Sequence, residues 1–246
     1  MASYLVIVAD LEFSAKDAGK AVARTDLIVV IDALRSGTSM LNALANGAKA
    51  FVPVESLREA YRIHHQHPDW LLAGERGGKK PRGFDFGNSP LEYTREKVEG
   101  KTFVLTTTSG TVALSRSRKA RWALVGAFLN AQAVAEKAEE IATREEVNVS
   151  FVLAGEKGRF SLEDFLCSGA ISDGFNQESV EFSDKVQAAL LSFRQARNDL
   201  NNNIMQAEHA KHLVKLGFKD DVDFSSQLNV SRAVPFYRAG RITMQE

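Results

Sequence analysis

The chain has 246 residues, of which 44% are hydrophobic and 25% are charged, and its formal net charge is zero. This composition is typical of a globular protein with one large or two small domains, and it gives no excess of positive charge for nucleic acid or an anionic membrane. The single cysteine, Cys167, excludes an internal disulfide and indicates a reducing compartment. Since the sequence shows neither a membrane-spanning apolar run nor a signal-peptide pattern, we expect a cytoplasmic protein without nucleic-acid or membrane partners.

Strand and helix patterns alternate along the first 95 residues. Apolar runs predict strands at 5–8, 27–31, 50–54 and 70–73. Helix patterns at 40–48 and 56–64 lie between them, and a long loop rich in glycine and proline follows at 77–90.

The same order recurs in the second part of the chain. We predict strands at 102–107, 122–125 and 147–153, and helices at 112–117, 131–144, 162–175, 184–201 and 204–216. The alternation predicts an α/β fold with mixed, largely parallel sheets flanked by helices. We expect two similar halves from an internal duplication, 1–95 and 96–246, the second with a helical C-terminal region, packed as one compact body.

A first candidate binding motif follows the strongest strand. Asp32 is succeeded by Arg35, Ser36, Gly37 and Thr38, which open a helix. A helix N-terminus with hydroxyls, a glycine amide and an arginine suits an anion, and a carboxylate beside it suits Mg²⁺. Helix capping by Ser36 or Thr38, and pairing of Asp32 with Arg35, are the alternatives.

The motif has a second copy. Residues 107–111 follow another strand and open another helix, and this repetition favours a binding role over capping; the candidates are Thr107, Thr108, Ser109, Gly110 and Thr111.

A second motif is also repeated. Ala-Gly precedes Glu75 and Arg76 at the end of one predicted strand, and Glu156 and Lys157 at the end of another. If the halves pack about a pseudo-twofold axis, both glutamates face one cleft, where paired carboxylates hold a metal or divide acid and base roles. The alternative is that each glutamate bonds to amides of its own loop.

Three further polar residues are candidates. In the loop at 83–90, Asp85 is a possible metal ligand, and Asn88 and Ser89 are possible donors to a substrate. Asp164 begins a helix, where a carboxylate also favours the helix dipole, and it is retained as a metal or base candidate. His209 and His212 share a helix face, but nothing else in the sequence marks a zinc site.

These motifs together resemble one enzyme family, the 2-phosphosulfolactate phosphatases. The resemblance rests on Asp32-x-x-Arg35-Ser-Gly-Thr and on residues 41–48, 73–76, 83–90, 106–111, 154–156, 162–169 and 234–240. It implies two similar α/β halves and a Mg²⁺-dependent phosphatase that converts 2-phospho-3-sulfolactate to 3-sulfolactate, a step toward coenzyme M. The attack on phosphorus comes from water or from an aspartate.

Two other functions stay open from the sequence. One is a phosphatase for another small anionic phosphoester, and the other is a non-catalytic receptor for a phosphorylated or sulfonated metabolite. Acidic side chains near the ligand argue against the receptor. A homodimer is the commonest oligomeric state for such a chain.

Overall fold

The computed structural model describes residues 6–244, and their strands form one ten-stranded sheet. The strands are β1 (Ile7–Glu12), β2 (Leu27–Ile31), β3 (Ala50–Pro53), β4 (Leu71–Gly74), β5 (Thr102–Thr106), β6 (Ala123–Gly126), β7 (Val149–Leu153), β8 (Val180–Phe182), β9 (Phe236–Arg238) and β10 (Arg241–Thr243). Their order in the sheet is β4-β5-β3-β10-β9-β6-β2-β7-β1-β8.

Two groups of parallel strands make up most of the sheet. β4, β5 and β3 form one group, and β6, β2, β7, β1 and β8 form the other. The hairpin of β9 and β10 joins the groups by antiparallel pairing on both sides. The mixed, mostly parallel α/β fold predicted from the sequence is therefore confirmed.

Strands from the two predicted halves are interleaved. β5 lies between β3 and β4, and β2 lies between β6 and β7. Each strand that precedes a Ser-Gly-Thr motif thus pairs with the strand that precedes the Ala-Gly-Glu motif of the other half, in the registers Gly74↔Thr106 and Ile31↔Leu153. The duplication itself, and the boundary near residue 95, stay predictions.

Helices lie against both faces of the sheet. They are α1 (Ala18–Ala23), α2 (Ser36–Ala45), α3 (Leu57–Gln66), α4 (Arg95–Val98), α5 (Gly110–Ser117), α6 (Ala131–Glu145), α7 (Leu162–Ser172), α8 (Asp184–Ala196), α9 (Leu200–Ile204), α10 (Glu208–Lys215) and α11 (Lys219–Ser225). Serine side chains cap several of them: Ser56 accepts from the Glu59 amide and Ser161 from the Asp164 amide.

The core is divided by the sheet. Alternate residues of β2 enter two different apolar clusters, with Val29 in a cluster that includes α6, α7 and α8, and Val30 in a cluster that includes α2 and α5. All five β2 residues are buried, as expected for a parallel strand covered on both faces. No helix within residues 6–244 has both the length and the apolar character needed to cross a membrane.

Candidate functional site

A cleft lies where the loops after β2, β4, β5 and β7 meet helix α10. The cleft is partly open to solvent. The predicted site residues that line it are Asp32, Arg35, Glu75, Asn88, Thr107, Thr108, Ser109 and Glu156. The fold thus brings residues that are far apart in the sequence, including both repeated glutamates, to one place.

Asp32 is held at the turn between β2 and α2. One of its carboxylate oxygens accepts from the Ser36 amide at 3.1 Å, and the other accepts from the Ser36 hydroxyl at 2.7 Å. Burial raises the pKa of Asp32 above its usual range, although the Ser36 bonds and the charge of His209 oppose the rise. A nearby positive charge stabilises the ionised form of such a buried carboxylate.

The second Ser-Gly-Thr turn approaches Asp32 closely. A Cβ atom on Gly110, the first residue of α5, would collide with the Asp32 carboxylate and the Ser36 hydroxyl. Because only glycine permits this approach, the N-terminus of α5 reaches the cleft. Anions are favoured at a helix N-terminus.

Arg35 lines the cleft but its charge is already partnered. Its guanidinium donates to Asp221 at 2.6 Å and to the Gly78 carbonyl at 2.7 Å, and it lies 4.3 Å from the centre of the Phe218 ring. Both side chains of the Arg35–Asp221 pair are at least 97% buried. Arg35 is therefore fixed in orientation and largely neutralised.

Glu75 connects two of the loops. Its carboxylate accepts from the Gly78 amide at 2.8 Å within its own loop, and from the Thr108 amide at 2.7 Å in the loop after β5. Glu75 therefore bonds an amide of its own loop, which is the alternative that the sequence left open. It also contacts the second Ser-Gly-Thr motif.

Asp164 connects the loop after β2 with the loop after β7, as Glu75 connects the loops after β4 and β5. Its two oxygens accept from the Ala33 amide at 2.8 Å and the Gly155 amide at 3.0 Å. Burial raises the pKa of Asp164 well above its usual range, and the charges of Glu163 and Asp32 add to the rise. Asp164 itself does not line the cleft.

Glu156 lines the cleft beside Lys157. The Lys157 ammonium lies 3.2 Å from the Glu156 carboxylate, and the Lys157 amide donates to the Ser109 hydroxyl at 3.2 Å. The loop after β7 thus contacts the turn after β5.

The other predicted residues support the cleft from outside its lining. Thr38 and Thr111 donate their hydroxyl protons to the backbone carbonyls of Ala33 and Thr107. Ser89 donates to Asp221 at 2.6 Å. The remaining members of this group are Ser36, Gly37, Arg76, Asp85 and Gly110.

Two of these remaining residues have clear structural contacts. Arg76 donates to the Thr106 hydroxyl and to the Glu75 carbonyl. Asp85 accepts from the Leu72 amide at 2.8 Å, which fixes its loop against β4.

Residues of the C-terminal helices also contribute to the site, although the sequence did not predict this role for them. His209 and His212 line the cleft, and Asp221 holds Arg35 and Ser89. These residues lie on α10 and α11, far along the chain from the motifs that they meet. The shared helix face of the two histidines was the one available signal, and it had no visible partner in the sequence.

His209 is held by a carboxylate. Its Nδ1 lies 3.3 Å from Glu163, whose side chain is buried. Burial lowers the pKa of His209, but the Glu163 hydrogen bond and the charges of Glu163, Glu156 and Asp32 outweigh this effect, so the pKa is raised. A protonated imidazole at this position can neutralise a ligand oxygen or supply it with a proton.

The donors in the cleft suit a hard cation. Asp32, Glu75 and Glu156 line it with carboxylate oxygens, which Mg²⁺ prefers. Among residues 6–244, no three His, Cys, Asp or Glu side chains are gathered as a ready-made metal site. Because Mg²⁺ is usually bound by one or two carboxylates, with water and phosphate oxygens completing its shell, the residues present still fit it.

Comparison with known proteins decides the family. The model of the family described as 2-phosphosulpholactate phosphatase matches residues 13–240. The chain belongs to this phosphatase family. The prediction made from the motifs is therefore confirmed, and the family match includes all the strand-end residues that line the cleft.

Relatives in the family match over nearly their whole length. A protein of Clostridium acetobutylicum is 38% identical over 95% of this chain and 98% of its own. Proteins of Thermotoga petrophila and Symbiobacterium thermophilum are each 39% identical over 89% of this chain, covering 92% and 94% of their own. Each is named a probable 2-phosphosulfolactate phosphatase.

Proposed function

We propose that this protein hydrolyses 2-phospho-3-sulfolactate to 3-sulfolactate and phosphate, with Mg²⁺ as its cofactor. The observation that carries the proposal is the meeting of both repeated motifs in one cleft, in a chain that matches the phosphatase family from residue 13 to residue 240. The names of the relatives support the choice of substrate.

The charge of the cleft supports the cofactor. Asp32, Glu75 and Glu156 contribute three carboxylates to the lining, while Arg35 is paired with Asp221 and Lys157 lies beside Glu156. His209 adds positive charge to the lining, since its pKa is raised, and a divalent cation would offset the carboxylates further in favour of a substrate with phosphate, sulfonate and carboxylate groups. One or two of Asp32, Glu75 and Glu156 would hold Mg²⁺, which would supply positive charge to the phosphoryl oxygens.

The chain's own residues would orient the substrate. Arg35 would hold its guanidinium in a fixed orientation at the cleft wall, because Asp221 and the Gly78 carbonyl accept hydrogen bonds from it. The turn at Thr107, Thr108 and Ser109, at the N-terminus of α5, would offer the Thr108 and Ser109 hydroxyls to an anionic group, while the Thr108 amide is engaged by Glu75. Catalysis then depends mainly on positioning and on stabilising charge at the phosphoryl group.

The test is phosphate release from 2-phospho-3-sulfolactate, with 2-phospholactate and phosphoglycolate as matched esters without the sulfonate. Each is measured with Mg²⁺ and with a chelator. We expect release that requires Mg²⁺ and is at least about tenfold faster, in kcat/KM, for the sulfonated ester. Equal release from all three would reject the substrate and keep the phosphatase. Binding without any release, independent of Mg²⁺, would favour the receptor.

A further inference from the structure

Asn88 carries a buried polar atom without a partner. Its side chain lines the cleft together with Asp32, Glu75 and Glu156, and the residue is 94% buried, with 6% of its surface exposed. Within residues 6–244 the side-chain oxygen of Asn88 has no hydrogen-bond donor. Leaving such an atom unsatisfied is unfavourable, so a group from outside the described residues is expected there.

The loop around Asn88 is firmly anchored. The Gly87 amide donates to Glu92 at 2.8 Å, the Ser89 hydroxyl donates to Asp221, and the Asn88 carbonyl accepts from Ser39 at 2.8 Å. Contacts on both sides of Asn88 therefore fix its backbone. The unpartnered oxygen is therefore held at a fixed position in the cleft wall.

The chemistry of the oxygen limits what can satisfy it. An amide oxygen only accepts hydrogen bonds or binds cations, and the phosphate, sulfonate and carboxylate oxygens of an anionic substrate are also acceptors. The cationic groups nearby are engaged, since Arg35 binds Asp221, Lys157 lies beside Glu156, and His209 contacts Glu163. A hard divalent cation, by contrast, takes amide carbonyl oxygen as a ligand alongside carboxylate oxygen.

We propose that the side-chain oxygen of Asn88 is a ligand of the divalent cation in this cleft. This inference rests on the metal dependence of the proposed function. It replaces the sequence-based expectation that Asn88 donates to the substrate. It also adds a third kind of donor to a cleft where carboxylates and histidines alone form no ready-made site within the described residues.

The test measures metal binding in the substrate-free protein. Mn²⁺ serves as the probe, and its free concentration is followed by electron paramagnetic resonance. Asn88→Leu, which has similar volume and no oxygen, should weaken Mn²⁺ binding by about tenfold or more. Asn88→Asp keeps an oxygen and adds a charge, so it should bind Mn²⁺ as tightly as the wild type or more tightly.

A matched control separates ligation from loosening of the loop. Asn42 donates to the Pro90 carbonyl at 2.9 Å and so holds the same loop from outside the cleft. Asn42→Ala should leave the Mn²⁺ affinity near that of the wild type. A loss in Asn42→Ala equal to that in Asn88→Leu would overturn the proposal.

Three other results would also overturn it. In the first, both Asn88 variants bind Mn²⁺ like the wild type while KM for the substrate rises, which would mean that the amide nitrogen faces the substrate. In the second, Asn88→Asp is as weak as Asn88→Leu. In the third, the wild type binds no Mn²⁺.

Phosphate release measured in parallel keeps the two proposals distinct. Mn²⁺ binding that depends on Asn88, in a protein that releases no phosphate from any ester, would support the metal ligand and reject the phosphatase. Metal-dependent release with Mn²⁺ affinity indifferent to Asn88 would reject the ligand alone.

Discussion

Arg35 and Asp221 form a buried ion pair that joins the first motif to helix α11. Breaking such a pair by removing one charge leaves the other charge buried and unpaired. We therefore expect Asp221→Asn to lower the free energy of unfolding by about 3 kcal/mol or more, as measured by urea denaturation.

Asp223 on the same helix provides the control. It pairs with Lys219 at 2.6 Å, but both side chains are exposed to solvent. Asp223→Asn should cost at most about 1 kcal/mol, as is usual for surface pairs. Equal losses in the two variants would contradict the assignment of Arg35–Asp221 as a buried pair that stabilises the fold.

Glu163 sets the protonation of His209. Because the raised pKa of His209 depends on Glu163 against the opposing effect of burial, Glu163→Gln should lower that pKa, as followed by NMR titration of the imidazole protons. In the wild type, the stability contributed by protonated His209 is present at low pH and lost as pH rises through the raised pKa. The variant should lose this contribution.

Glu208 precedes His209 on α10 and is almost fully exposed. Glu208→Gln is the matched control, and it should leave the titration of His209 nearly unchanged. An unchanged pKa of His209 in Glu163→Gln would show that the contact is not the cause of the shift.

At single residues, the sequence predicted the groups that follow strands and missed those supplied by distant helices. Asp32, Glu75 and Glu156 end apolar runs, so a local pattern points to them. Asp221 lies 186 positions from Arg35, and His209 meets Glu163 only through tertiary packing. No spacing rule connects such pairs in a single sequence.

The start of α5 depends on the absence of a side chain at Gly110. A methyl group there would collide with the Asp32 carboxylate and the Ser36 hydroxyl, so α5 or the Asp32 turn would have to shift. We expect Gly110→Ala to lower the free energy of unfolding by about 1–3 kcal/mol, measured in urea.

Gly19 in α1 is the matched control, since nothing lies within 4 Å of a Cβ atom placed there. Gly19→Ala should be neutral or stabilising by up to about 1 kcal/mol, because alanine favours the helix. A Gly110→Ala variant as stable as Gly19→Ala would contradict the close approach of the two motifs.

Elements with strong local patterns were predicted well, whereas a break within one helix and the three-residue strands β9 and β10 were not. The five apolar residues of β2 and the amphipathic helix α6 agree with the sequence pattern. The predicted helix at 184–201 is instead divided, with α8 ending at Ala196 and α9 beginning at Leu200. The hairpin of β9 and β10 has three residues in each strand, too few for a recognisable alternation.

The interleaved sheet makes the two predicted halves depend on each other. No two strands of the first half are neighbours in the sheet, and the second half alone would keep only the pairs within β10-β9-β6. We therefore expect a single cooperative unfolding transition.

The two tryptophans allow a direct test of this cooperativity. Trp70 precedes β4 in the first half and Trp122 precedes β6 in the second. In Trp122→Phe the fluorescence reports Trp70, and in Trp70→Phe it reports Trp122. Within each variant, the urea midpoint by fluorescence should equal the midpoint by far-UV circular dichroism. Separate midpoints would indicate halves that unfold independently.

At the scale of the molecule, the sequence predicted the class of fold but not the strand order. Alternating patterns identify an α/β protein, because helices must cover a parallel sheet. The insertion of β2 between β6 and β7, and of β5 between β3 and β4, depends on which strand edges pair in three dimensions. Two repeated motifs in sequence are compatible with either neighbouring or interleaved halves.

We propose that Asp32 and its cleft carry metal-dependent phosphate release. The most direct measurement is the rate of phosphate release from 2-phospho-3-sulfolactate by Asp32→Asn at saturating Mg²⁺, beside Asp69→Asn as an exposed, charge-matched control. We predict that Asp32→Asn stays folded, as judged by circular dichroism, and loses about a thousandfold or more in kcat, while Asp69→Asn matches the wild type. Turnover by folded Asp32→Asn at the wild-type rate would contradict the claim.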